Sequence, residues 1–91
     1  MNDECSDIKR EAHEAGDLHY RAMTDYVRTG DGATRRRALA VAMRYRQALD
    51  WLIDCYGKFR DRLTGRRHAD VALEYKHLVE KDIDMLEESS S

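Results

Sequence analysis

The stretch from Thr34 to Leu63 constrains the fold more than any other part of this chain. Ala38, Ala42, Tyr45, Leu49, Leu52, Tyr56, Phe59 and Leu63 follow one another at alternating steps of four and three. At 3.6 residues per turn that spacing holds a single stripe on one side of an α-helix for about seven turns. Leu39 and Ile53 widen one flank of the stripe, and Val41, Ala48, Trp51 and Cys55 add a weaker strip on the other. So wide an apolar arc is more than one neighbour covers, and the helix must touch at least two others, from its own chain or from a second copy.

The segments on either side read as shorter helices folded back on this one. Residues 6–28 carry Ile8, Ala12, Ala15, Leu18, Ala22 and Tyr26 in helical register, with Cys5 just before them and Met23 and Val27 widening the stripe. Ser6 or Asp7 is the expected cap of this first helix. Gly16 interrupts it at roughly 1 kcal/mol of helix propensity relative to alanine. Thr29-Gly30-Asp31-Gly32 is strong turn chemistry, after which Thr34 is a candidate cap for the second helix over 34–64. So short a connection makes the two helices an antiparallel hairpin. Thr64-Gly65 breaks the pattern, and a third helix over 69–87 presents Val71, Ala72, Tyr75, Leu78, Val79, Ile83, Met85 and Leu86 as one broad face. The serine tail, Ser89 to Ser91, frays. The expected fold is therefore all-α: an antiparallel helical hairpin plus a third C-terminal helix, a small helical bundle and a single domain over residues 1–91. A chain of this length buries only roughly 60–65% of its unfolded surface, which makes dimerisation an expected remedy.

Charge divides along the same boundaries. Residues 1–32 hold four basic and eight acidic groups, residues 33–67 ten and three, and residues 68–91 two and seven, so a basic central helix lies between two acidic ones. Mutual neutralisation within the fold is the simpler expectation. The other is an exposed basic face, built on Arg35-Arg36-Arg37, Arg44, Arg46 and the cations from Lys58 to Arg67, that meets an acidic partner or a phosphate backbone. Helix two is much too long for the recognition helix of a helix-turn-helix, and the chain is acidic overall, with a net charge of −2.

Catalytic chemistry finds no foothold. His13-Glu14 opens like a zinc-binding HExxH helix, but Asp17 stands where the second histidine would be. His77 sits among Glu74, Glu80 and Lys81 as on a solvated helix face. Cys5 and Cys55 have no activating neighbours and no CxxC partner; they are expected to be free thiols in reducing surroundings, with Cys55 packed as a small apolar residue. There is no glycine-rich phosphate loop, and three helices leave little room for a catalytic cleft. No metal, cofactor or enzymatic activity is expected. The N-terminus is acidic, unlike a signal peptide, and no stretch approaches a membrane span, so the expected location is cytoplasmic.

Protein binding is what remains, and Trp51 is its most informative residue. It lies off the main stripe, either packed under a neighbouring helix or exposed as an interface anchor. Arg44 and Asp50 are the expected polar rim around it. The fragment Tyr45-Arg46-Gln47-Ala48-Leu49-Asp50-Trp51-Leu52 resembles the YRxALDWL stretch in the second helix of small phage-encoded quorum-sensing anti-activator proteins, which are two-helix chains that form helical homodimers. The resemblance implies a non-enzymatic inhibitor with bacterial host targets: the DNA-binding domain of a LuxR-type quorum-sensing regulator and the ATPase that assembles type IV pili. The aromatic pair of that family maps onto Tyr45 and Trp51 as partner contacts. Arg44, Asp50 and Arg37 complete the candidate set. Tyr45 also belongs to the buried stripe, a position that suits the bundle or a dimer better than a host protein. The third helix and the bulky Tyr56 and Phe59 depart from the family, and residues 69–87 could take the place of a second subunit. The competing reading is a nucleic-acid-associated helical regulator that uses the basic central helix.

Overall fold

A computed structural model describes residues 5–58 and 64–88. It contains three helices, α1 (Ser6–Thr29), α2 (Gly32–Lys58) and α3 (Thr64–Glu88). The third helix is separate from the second, and it begins earlier than expected. Thr64 and Gly65 form the first turn of α3 instead of closing α2. The expected contributions of Phe59 and Leu63 to the stripe lie outside the described residues.

The turn between α1 and α2 is built from its own side chains. Gly30 adopts φ +67°, the left-handed conformation that glycine enters without a Cβ penalty, and its N–H bonds the Tyr26 carbonyl at 2.7 Å. Asp31, not Thr34, caps α2. Its Oδ1 accepts the Thr34 N–H at 2.8 Å, and the Thr34 hydroxyl donates back to the Asp31 carbonyl at 3.0 Å. At the start of α1 the cap position is Cys5, which provides no side-chain bond, so neither Ser6 nor Asp7 does that work.

α2 is the shared floor of the fold. It packs against both α1 and α3, whereas among the described residues no Cα of α1 comes within 8 Å of a Cα of α3. Ala38, Ala42, Leu49, Leu52 and Tyr56 are buried as the stripe requires, and Ala48 and Cys55 are buried on its α1 side. α1 meets this floor through Ala12, Ala15 and Ala22, small side chains that let the two helices approach closely. Gly16 serves the same end: a Cβ there would lie 3.2 Å from Cζ of Tyr45. Gly57 has open space around it and marks no close approach. α3 contributes Ala72, Val79, Ile83 and Leu86.

One further expectation about α1 is corrected. Leu18 is exposed, and His19 takes the buried position in the stripe. The reason is register: Ala12, Ala15, His19, Ala22 and Tyr26 follow a three–four–three–four rhythm that passes over residue 18.

The free-thiol reading is also overturned. Cys5 and Cys55 form a disulfide with their Cα atoms 5.9 Å apart, linking the start of α1 to the end of α2 across a sequence separation of 50. Helical pairing brings them together because an antiparallel hairpin sets the first residues of one helix beside the last of the other. The bond removes the argument from thiols for a reducing compartment, since structural disulfides persist where conditions are oxidising. None of the described helices is long and apolar enough to cross a membrane.

Two predictions follow from the tethers. Reducing the bond, or replacing Cys55 by serine, should lower stability by roughly 2–4 kcal/mol, seen as an earlier thermal melt with dithiothreitol than without. Asp31 should respond to acid. The Thr34 backbone and side-chain hydrogen bonds hold its carboxyl below the usual range, so the cap is fully formed above the ordinary carboxylate pKa of ~3.9 and is lost as pH falls through the lowered value. The Thr34 amide resonance should titrate with a midpoint below ~3.9.

Candidate functional site

α1 and α3 both run antiparallel to α2 and stand side by side above it. A side-chain clasp joins them, and a groove opens between them on its N-terminal side. The clasp is His19 on α1, whose Nε2 lies 3.0 Å from Oδ2 of Asp82 on α3. A carboxylate acceptor requires the hydrogen on Nε2. The other ring nitrogen, Nδ1, is buried without a hydrogen-bond partner. The imidazole also packs against Tyr45, with ring centroids 5.7 Å apart. Below the clasp, Arg35 of α2 donates to the Leu86 carbonyl at 3.2 Å, satisfying a terminal carbonyl of α3.

Above the clasp the walls separate around a groove of about 490 Å³. Tyr45, Leu49, Leu52 and Tyr56 of α2 make the floor, Gly16 lies on the α1 wall, and Tyr75 lies on the α3 wall. His13 and His68 stand on opposite walls, and the His68 ring packs on Tyr56 with centroids 5.2 Å apart. Burial, with the Tyr75 hydroxyl and Asp17 nearby, pushes the Tyr45 hydroxyl above its ordinary pKa, so it stays neutral and able to donate.

The five residues singled out from sequence do not form one site. Tyr45 is half-buried and lines the groove. Trp51 is 53% exposed and lies outside that groove, on the flank of α2 that carries Ala48 and Cys55. Arg44, seven residues earlier and so on the same ridge, is exposed, as is Arg37 a further seven residues back. Asp50 is directed elsewhere. Its carboxylate accepts from Lys76 of α3 at 2.7 Å, and this bond holds the Lys76 ammonium above its usual pKa. Successive residues on a helix point about 100° apart, so a carboxylate engaged with α3 does not form the rim of Trp51. That pair also reverses the expected charge pattern, with the acid on the basic helix and the base on an acidic one.

Sequence reasoning missed His19 and Asp82 as partners. They are 63 residues apart, and only the position of His19 in the α1 stripe signals its burial. No described protein family, no curated protein and no solved structure matches this chain.

The clasp can be tested for energy. Asp82→Ala leaves a buried imidazole with neither nitrogen bonded and should cost about 1–2 kcal/mol in urea denaturation. Adding His19→Leu should recover most of that loss, because removing both partners also removes the unsatisfied group.

Proposed function

We propose that this chain is a non-enzymatic inhibitor that binds a bacterial host protein and blocks it by occupying its surface. The observation that carries the reading is Trp51, half-exposed in a folded chain that uses smaller side chains for its core. Tryptophan and arginine are the side chains that most often dominate interface energetics, and Arg44 and Arg37 share its ridge. Surface occupation needs no catalytic group, in keeping with a sequence that offers none. The YRxALDWL resemblance supports two candidate targets, the type IV pilus assembly ATPase and the DNA-binding domain of a LuxR-type regulator, with the host cytoplasm as the place of action.

The competing reading, a nucleic-acid-associated regulator, draws on the arginines of α2. Arg35 is already engaged with the end of α3, and the cations of residues 60–63 lie outside the described residues. It predicts DNA retention that falls steeply with salt.

Titration calorimetry against each purified target tests the proposal, run with the disulfide intact and again with it reduced. Trp51→Ala should weaken binding by ~2 kcal/mol or more while leaving the thermal melt nearly unchanged, since the ring is half in solvent already. No heat with either target, or equal heat with the variant, would sink the reading.

A further inference from the structure

The groove between α1 and α3 has two unlike walls. On the α3 wall Val71 and Tyr75 are exposed by 45% and 51%, apolar surface that the fold itself leaves uncovered. On the α1 wall Lys9 and His13 stand one turn apart, both exposed. Because His19 meets Asp82, 63 positions later, and the two helices run in the same direction, Val71 stands within one residue of the height of Lys9. Tyr75 stands within one residue of the height of His13. The floor is placed by two further contacts. Cys5 is bonded to Cys55, and a Cβ on Gly16 would touch the Tyr45 ring, so Leu52 and Leu49 fall beneath Lys9 and His13. In cross-section the groove offers an aliphatic floor, an apolar wall and, facing that wall, an ammonium and an imidazole.

The charged groups of the groove are unevenly placed along it. Neither Lys9 nor His13 makes an ion pair or a side-chain hydrogen bond with another described residue. His68, one turn before Val71, packs on Tyr56 and adds a second imidazole at the same end. The carboxylate among the lining residues, Asp17, comes eight residues after Lys9, which is about 12 Å along the axis at 1.5 Å per residue. It lies near the Tyr45 hydroxyl at the opposite end. A negative group is therefore favoured at Lys9 and repelled at Asp17.

We propose that this groove is a binding site for a small organic anion with an apolar body, an aliphatic or aromatic carboxylate. The body lies over Leu49 and Leu52 against Val71 and Tyr75, and the carboxylate accepts from the Lys9 ammonium and an N–H of the His13 ring. Such a ligand is the one class that uses both walls. A bare inorganic anion has nothing to set against Val71 and Tyr75, and an amphipathic cation would put its charge against Lys9. At about 490 Å³ the groove falls within the ~300–1,000 Å³ of small-molecule sites, which are mostly apolar with a few polar groups that fix orientation. Trp51 lies outside it, so the site stands independently of the host-protein reading.

Titration calorimetry of the full, oxidised chain with 2-naphthoate and with decanoate, kept below its micelle concentration, tests this. Each is expected to saturate at one molecule per chain and to exclude the other. The neutral 2-naphthalenemethanol should bind about tenfold more weakly than 2-naphthoate, the scale of one charge-assisted hydrogen bond. Lys9→Glu, at an exposed position, should weaken 2-naphthoate by about tenfold and leave both the alcohol and the helical circular dichroism unchanged. Val71→Glu should weaken the acid and the alcohol alike, and Trp51→Ala should change neither. In amide spectra the shifts caused by 2-naphthoate should centre on Ala12, Leu49 and Ala72. No saturable binding of either carboxylate at millimolar concentration overturns the proposal. So does an alcohol that binds as tightly as the acid, a Lys9→Glu variant with unaltered affinity, or shifts centred away from the groove.

Discussion

One face of α2 has to serve two neighbours. The stripe from Ala38 to Tyr56 is buried on both flanks by helices that do not pack backbone to backbone with each other. Everything else depends on that division. Because α1 meets α2 through alanines and a glycine, it lies close to the floor, and its larger side chains at Tyr20 and Val27 are left outside. Because α3 uses Ala72, Val79, Ile83 and Leu86 for the same purpose, its second stripe is left outside too. A closed three-helix bundle would have spent these residues on an α1–α3 contact. Here Val71 and Tyr75 line a groove, and Tyr20, Val27, Leu78 and Met85 remain exposed.

Three cross-links hold the open arrangement in place, each with its own physics. The Cys5–Cys55 bond stabilises mainly by restricting the unfolded chain. Asp50–Lys76 is a part-exposed ion pair, a modest contribution in high dielectric. His19–Asp82 is the costliest to disturb for its size, because the imidazole is buried and one of its nitrogens already has no partner. It is also the link that joins α1 to α3 directly. The groove lies on the N-terminal side of this bond.

The outer ridge of α2 and the α1–α3 face are different surfaces with different chemistry. Trp51, Arg44 and Arg37 form a narrow exposed line in which one aromatic ring stands among charges. On the α1–α3 side, Val71 and Tyr75 are exposed beside the groove they line, and no arginine of α2 stands among them. Tyr45 belongs to neither: its hydroxyl and ring line the groove between them.

Much of this was legible in the sequence. Periodicity determined three helices and the burial of Ala42, Leu49, Leu52 and Tyr56, because a stripe that recurs at 3.6 residues has only one side to bury. The turn was legible from Gly30 and Asp31, though not which residue caps α2, since Asp31 and Thr34 are both good caps and only backbone geometry chooses between them. The tertiary structure decided the rest. It split the broad face of α3 into a buried and an exposed half, turned Asp50 toward Lys76 and away from Trp51, paired two cysteines that the sequence shows as unrelated, and joined His19 to Asp82. Each of these depends on which helix lies beside which flank of α2, and at what height. Such distances are set by the packing of whole helices and have no signature in the local order of residues.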